Sequence, residues 1–280
     1  MLGFLYALVT SLCFGGGNVL SKKTIGENGL YRALVYNYVG VVVLLLFGVF
    51  LFNQSFSFPS SLLVPYLIQI VVGTLAVIAL FKAFEIGRAS VLGPLSMLYV
   101  LVVICISIFL FDEPISSSQI IGSLILLCSA FVLAFENIKK FKLEAGVFVL
   151  LVTIFGWGYY YSFMKTFVPL LGPYMTTFYL EIGISTFIFI YVLLTRKNLT
   201  FPSLEESKYI SLRSILLFLG SIFYASSVGA IGAGITSAVV SSSSIVTAVG
   251  SYFLLKEKLD SIKYLAIILS IIGLVIVFLG

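Results

Sequence analysis

The chain is a succession of apolar runs of about twenty residues, the length an α-helix needs to cross the hydrocarbon core of a bilayer. Only short polar gaps separate them. Counting on that length predicts ten spans, at residues 3–21, 33–52, 62–81, 91–111, 119–135, 146–164, 174–194, 211–228, 235–255 and 262–279. Charged residues make up 10% and hydrophobic ones 61%, where a soluble domain carries about 25% charged residues. Such a chain cannot keep its apolar surface from water, so a lipid bilayer is its solvent. Within a bilayer the backbone must satisfy its own hydrogen bonds, which runs of this length do as helices. The expected class is all-α: a polytopic, multi-pass protein of the cell membrane with ten transmembrane helices.

The same composition excludes several functions. A net charge of +5 scattered along the chain is not the dense basic patch that nucleic acid requires. There is no histidine, which removes the commonest metal ligand and proton shuttle. Cys13, Cys105 and Cys128 lie inside apolar runs without metal spacing and read as small core residues. No metal or other cofactor is expected. The first run has no basic leader and no small-residue cleavage site after it, so it reads as a retained span. The longest gaps, 137–145 and 195–210, are too short for a soluble domain.

The chain also repeats itself. Leu8-Val9-Thr10, Phe14-Gly15 and Lys22 recur as Leu151-Val152-Thr153, Trp157-Gly158 and Lys165 at an offset of 143. Tyr31, Tyr36 and Gly40 recur as Tyr174, Tyr179 and Gly183 at the same offset. Ala89, Ser107 and Glu113 recur as Ala233, Ser251 and Glu257 at 144, a slip that a loop absorbs. The expected organisation is a first five-helix repeat over 1–136, a linker over 137–145 and a second repeat over 146–280. An odd number of spans per half makes the second half enter from the opposite face. Such inverted repeats mark many secondary transporters, whose site lies near the midplane between the halves. Glu113 and Glu257 stand just before the fifth and tenth spans, where the helix dipole favours an anion. The serines at 116–118 and Asp260-Ser261 read as N-caps of those helices.

These elements carry a family resemblance. Phe14-Gly15 and Trp157-Gly158, the Ala-x-x-x-Gly turn over 83–87, Pro94 and the Glu113-Pro114…Gly122 element, in that order and duplicated, resemble the drug/metabolite transporter superfamily of EamA-like type. The resemblance covers essentially the whole chain. It implies ten helices in two inverted halves and alternating access around a central cavity, lined mainly by the first, third, fourth, sixth, eighth and ninth helices. It implies no particular substrate. There are two departures from the pattern: Asn37 and Leu180 stand where many members carry an Arg, and Ala238 stands where the first half has Pro94.

Among candidate site residues, Glu181 lies about eight residues into the seventh span, roughly 12 Å deep at 1.5 Å per residue. A charge there costs about 2.5–3.5 kcal/mol on insertion scales, so it should face the bundle or a cavity. Its roles would be proton carrier, cation site or counter-ion; the structural alternative is a hydrogen bond to a neighbouring helix. Trp157 shares a helix face with Tyr160 and Tyr161. Three consecutive tyrosines, 159–161, cover too wide an arc to line one cavity together. The matching positions on the first helix are Phe14, Gly17 and Asn18, which would leave one wall bulky and the other open. An interfacial aromatic belt is the alternative. Tyr179, Asn18 and Asn37 are further candidate contacts. Ser241 is a further candidate contact, although it belongs to a helical row with Ser237, Ser244, Ala248 and Ser251 that reads as close packing. Lys82 and Glu85 can pair at i+3.

Fifteen of the sixteen Lys and Arg residues fall on the face away from the termini, leaving only Lys165 on the other. The positive-inside rule then sets the termini outside the cytoplasm, whereas the resembling family usually has them inside. The functional expectation is a secondary carrier of a small organic metabolite, as a monomer or homodimer, with an organic cation or amino-acid-like substrate and proton coupling through Glu181. Burial disfavours the charged carboxylate, which would let Glu181 exchange a proton near neutral pH. The rivals are an uncoupled facilitator of a neutral metabolite and a membrane enzyme. The enzyme lacks any nucleophile–base pair or metal spacing, and a receptor would lack an output domain.

Overall fold

The computed structural model describes residues 1–134, 146–196, 199–256 and 261–280. The expected linker 137–145, Glu257 and the Asp260 cap lie outside the described residues. The described residues form the helices α1 (Leu2–Asn28), α2 (Leu30–Leu51), a 3-10 turn (Ser60–Leu62), α3 (Leu63–Ile86), α4 (Ala89–Ser96), α5 (Tyr99–Phe109), α6 (Ser117–Ala134), α7 (Gly146–Leu194), α8 (Leu204–Ile231), α9 (Ala233–Val240), α10 (Ser243–Leu254) and α11 (Ser261–Leu279). Six helical stretches among the described residues are long and apolar enough to cross a membrane. Their outer faces carry large apolar side chains such as Phe47, Phe50 and Phe148, and Phe109 is 82% exposed. Water would not tolerate that surface and lipid does. The protein is therefore a multi-pass membrane protein.

Three departures from the expected spans have local causes. The sixth and seventh spans form one stretch, α7, that turns at Gly172 with φ 73° and ψ 164°. Gly29, 143 residues earlier, makes the same turn between α1 and α2 with φ 75° and ψ 163°. That conformation is essentially open only to glycine, so one residue reverses the chain and no loop is needed. The fourth and ninth spans are each broken in two. Their breaks fall at Met97-Leu98 and Ser241-Ser242, again at an offset of 144. At both, hydrogen bonds tighten to i→i−3: Leu98 N–H to the Leu95 carbonyl, and Ser242 N–H to that of Val239, both 3.1 Å. Such irregular backbone survives in a membrane only where protein or a cavity surrounds it, and the α9–α10 stretch is the most enclosed of the six.

Packing is reciprocal between the halves. α1 lies along α8 and α10, and α7 lies along α3 and α5, while α6 pairs with α11. The contacts recur residue by residue. Gly15 admits Val246, and Gly158 admits Val102; Gly40 receives Ser214, and Gly183 receives Ile70. Each pair is the other's counterpart at the repeat offsets. Small residues let these backbones approach where lipid offers no hydrophobic drive to associate. The row Ser237, Ser241, Ser244, Ala248 and Ser251 is buried throughout, in agreement with close packing. Of the cysteines only Cys13 is buried; Cys105 and Cys128 are exposed on the outer surface, so two of the three are not core residues. Ser116 caps α6 as expected, accepting from Gln119 N–H at 3.1 Å.

Candidate functional site

The seam between the halves holds a cavity that is partly open to the outside. Every long helix around the seam contributes. Cys13, Phe14, Gly17 and Asn18 come from α1, Tyr38 from α2, and Gly73, Val77, Leu80 and Phe81 from α3. Met97 and Tyr99 come from the α4–α5 break and its far side. Trp157, Tyr160, Tyr161, Glu181 and Ile184 come from α7, and Arg213 and Leu217 from α8.

Helical spacing explains the composition of each wall. Asn18 is one turn beyond Phe14, and Trp157, Tyr160 and Tyr161 share a face of α7. Their rings pack together: Tyr161 lies 5.1 Å from Tyr99, 6.0 Å from Trp157 and 4.4 Å from Tyr224, centroid to centroid. Tyr159 points away and stacks on Phe163 at 4.3 Å, so two of the three consecutive tyrosines reach the cavity. Facing them, Gly17 leaves open space where a side chain would stand. Gly15 does not share that opening, because it is spent on the contact with Val246.

Glu181 reaches the cavity from α7 and is 5% exposed. Its Oε1 accepts from Ser221 Oγ of α8 at 2.9 Å, while Oε2 has no hydrogen-bond partner in the protein. Arg213 enters from α8 and is 7% exposed. Its Nε donates to Ser21 Oγ of α1 at 3.1 Å, its guanidinium lies 5.4 Å from the Phe81 ring centre, and Nη1 is unpartnered. The sequence counts Arg213 among the fifteen basic residues of the face away from the termini, since its expected span begins only at 211. The structure starts α8 at Leu204, which sets Arg213 two turns inside the helix and against α1.

Of the expected site residues, Asn18, Trp157, Tyr160, Tyr161 and Glu181 come together around the cavity. Three others stand elsewhere. Asn37 is fully buried and turns its amide back onto the Ala33 carbonyl of its own helix. Tyr179 packs edge-on to Phe58 at 4.9 Å and to Phe178, on the far side of α7 from Glu181. Ser241 sits at the α9–α10 break with its hydroxyl on the Ala238 carbonyl.

At one end of the bundle the C-termini of α1 and α3 meet the N-terminus of α8, where Lys22 donates to the Phe84 and Gly87 carbonyls and Lys23 lies over the Tyr209 ring. The other end is closed by packed side chains. Tyr224 is fully buried beneath Tyr161 and hydrogen-bonds Ser237 at 2.5 Å, and Ser227 bonds Thr236 and the Gly3 carbonyl. Beyond them Glu113 closes the seam. It does not serve α6, the helix it precedes; its two oxygens accept from Ala233 and Gly234 N–H, both at 3.0 Å, at the start of α9. Lys165 of α7 joins it at 3.0 Å. Burial alone would raise the Glu113 carboxyl, but the two backbone donors and the Lys165 ammonium together outweigh it and hold the group below the usual carboxylate range.

Among the described residues no cluster of three or more His, Cys, Asp or Glu could hold a metal. The fold is that of a solved crystal structure with which it shares a TM-score of 0.77 over 99% of this chain and 96% of the other, at 14% identity. An uncharacterized protein of Methanocaldococcus jannaschii is 24% identical over 131 residues, which is 46% of this chain and 94% of that protein. The relative is thus a chain about the size of one half. The EamA-like transporter profile matches twice, over residues 1–135 and 144–279. Together these two matches span nearly the whole sequence, and the chain belongs to the EamA-like transporter family.

Proposed function

We propose that the protein carries a small organic metabolite across the membrane by alternating access, with its site in the seam cavity and a proton exchanged at Glu181. The observation that carries the reading is the cavity itself, lined by helices of both halves that pack reciprocally. Ten spans in two inverted repeats follow if α4–α5 and α9–α10 each count as one broken span and α7 as two. The recurrence of turns, breaks and glycine contacts at offsets of 143 and 144 supports that count, as does a half-length relative. Discontinuous helices beside the site are what such carriers use. The chain is a transporter and not an enzyme, as its family is one of transporters.

Proton coupling rests on Glu181, a carboxyl with one oxygen held by Ser221 and the other unpartnered in the cavity. Removing water disfavours its charged form, and a cationic group of a substrate would compete with the proton for it. Purified protein in liposomes with a pH gradient tests this. Glu181→Gln should abolish the dependence of uptake on the gradient while the variant stays monodisperse and helical. Gradient dependence that survives Glu181→Gln sinks the coupling role, and leaves the uncoupled facilitator.

A further inference from the structure

The helices group into one bundle with α1, α8, α9 and α10 and another with α3, α5 and α7. Parting them at the closed end leaves some contacts whole and breaks others. Tyr224 on Ser237, and Ser227 on Thr236 and the Gly3 carbonyl, are hydrogen bonds within the first bundle and travel with it. The Tyr161 ring on Tyr224, and Val168 against Gly229, do cross the seam. They are apolar contacts, which have no direction and can slide. Glu113 also crosses it, and its bonds are directional: the carboxylate of the α5–α6 connection accepts from Ala233 and Gly234 N–H of α9, both at 3.0 Å. Resting on the alternating-access reading, we infer that Glu113 is the latch of the closed end. Its carboxylate must leave those two N–H groups each time that end opens, and this contact sets how often it does.

Each half of the latch is tied to its own bundle. Glu113 N–H donates to the Ser107 carbonyl in the last turn of α5 at 2.9 Å. Lys165 of α7 holds the carboxylate at 3.0 Å. The acceptor therefore moves with α5 and α7. On the other side α9 follows α8 across the single residue Gly232, whose N–H donates to the Val228 carbonyl at 3.1 Å. The first N–H groups of α9 therefore move with α8. Neither partner can follow the other without breaking its own anchor, so separation of the bundles falls on the carboxylate bonds. Bonds to a charged acceptor are about twice as strong as neutral ones. Because Glu113 is held below the usual carboxylate range, it stays ionised at neutral pH, and the latch is distinct from the proton exchange at Glu181.

Opening of that end can be read from a thiol placed inside it. Val168 lies across the seam from Gly229, is buried, and carries no polar side-chain atom to lose. In a cysteine-free form of the full-length protein in detergent, a charged methanethiosulfonate reagent should label Val168→Cys at a rate that follows the open fraction. Ala130→Cys, fully buried on α6 where that helix pairs with α11, reports general loosening instead. Glu113→Ala should speed labelling of Val168→Cys by roughly ten- to a hundredfold and leave Ala130→Cys as it was. Glu113→Gln keeps one acceptor oxygen and should fall between, and it serves if Glu113→Ala does not fold. A Val168→Cys rate that ignores both variants, or that rises by the same factor as Ala130→Cys, overturns the latch. If Val168→Cys nevertheless labels far faster than Ala130→Cys, the end does open and only the latch falls. Labelling of Val168→Cys no faster than Ala130→Cys in every variant means that the end stays closed, and the alternating-access reading fails as well.

Discussion

Gly15, Gly16 and Gly17 follow one another on α1, yet the bundle gives them different surroundings. A Cβ on Gly17 meets nothing within 4 Å, because the residue faces the cavity. A Cβ on Gly15 falls 2.6 Å from the Ser243 carbonyl and closer still to Val246. Gly17→Ala should therefore raise stability by about 0.5–1 kcal/mol, the helix penalty of glycine, while narrowing the cavity and weakening transport. Gly15→Ala should lower stability by about 1–3 kcal/mol, as overpacking does, because the obstacle includes backbone. Thermal unfolding of the two purified variants separates them: equal shifts of the same sign would show that the α1–α10 contact does not set the spacing. Gly172 is a third case, since its φ of 73° with ψ 164° is closed to a side chain, and Gly172→Ala should cost about 1–3 kcal/mol.

At the level of elements, the closed side depends on how α9 begins. Gly232 leaves α8 at φ 81°, and a Cβ there would meet the Glu113 carboxylate at 2.9–3.1 Å. The first N–H groups of α9 therefore reach a carboxylate from the other half of the chain, where the helix dipole strengthens the contact. Glu113→Ala leaves two buried donors unpaired and should destabilise the closed side by about 2 kcal/mol; Lys165 is 35% exposed and adds less. Exchanging the two charges, Glu113→Lys with Lys165→Glu, restores an ion pair but not the cap, and should not rescue stability. The pH dependence has a fixed sign. A carboxyl lowered in the folded state contributes stability above its ordinary value of 4.5, and that stability is lost as pH falls below it. Acid titration of thermal stability should show this step in the wild type and a smaller one in Glu113→Gln. Steps of equal size would remove Glu113 from the closed side's energetics.

For the whole molecule, the reciprocal packing of α1 on α8 and of α7 on α3 gives two similar bundles with one seam. Under the proposed alternating access, a shift of one bundle against the other would expose the cavity to either side in turn. Orientation in the bilayer follows from charge. Removing Arg213 from the basic face, since it lies in the cavity, leaves the excess of Lys and Arg on that face intact. The positive-inside rule then sets that face, with the start of α8, in the cytoplasm. Leu204 is 86% exposed at the start of α8. In a cysteine-free background, Leu204→Cys should resist a membrane-impermeant thiol reagent in intact cells and react after permeabilisation. Labelling in intact cells would reverse the orientation and favour termini inside.

The helices, their approximate ends and the duplication could be read along the chain, because each depends on local properties: run length, turn residues and spacing. Glu181 was legible for the same reason, since a lone acid deep in an apolar run must find a partner or a cavity wherever the run packs. Tyr160 and Tyr161 could be placed on one face with Trp157 by period alone. What no period contains is the surface a face meets. Asn37 and Tyr179 have the right chemistry and depth, yet α2 and α7 turn them into contacts away from the seam. Arg213 counts in sequence as one of the basic face's charges, yet it lines the cavity, since its inward direction is set by α1 across α8. Glu113 stands four residues before α6 and serves α9, more than a hundred residues away. These assignments depend on which helix lies beside which, and that is decided by the sum of many close contacts across the bundle, which local sequence does not record.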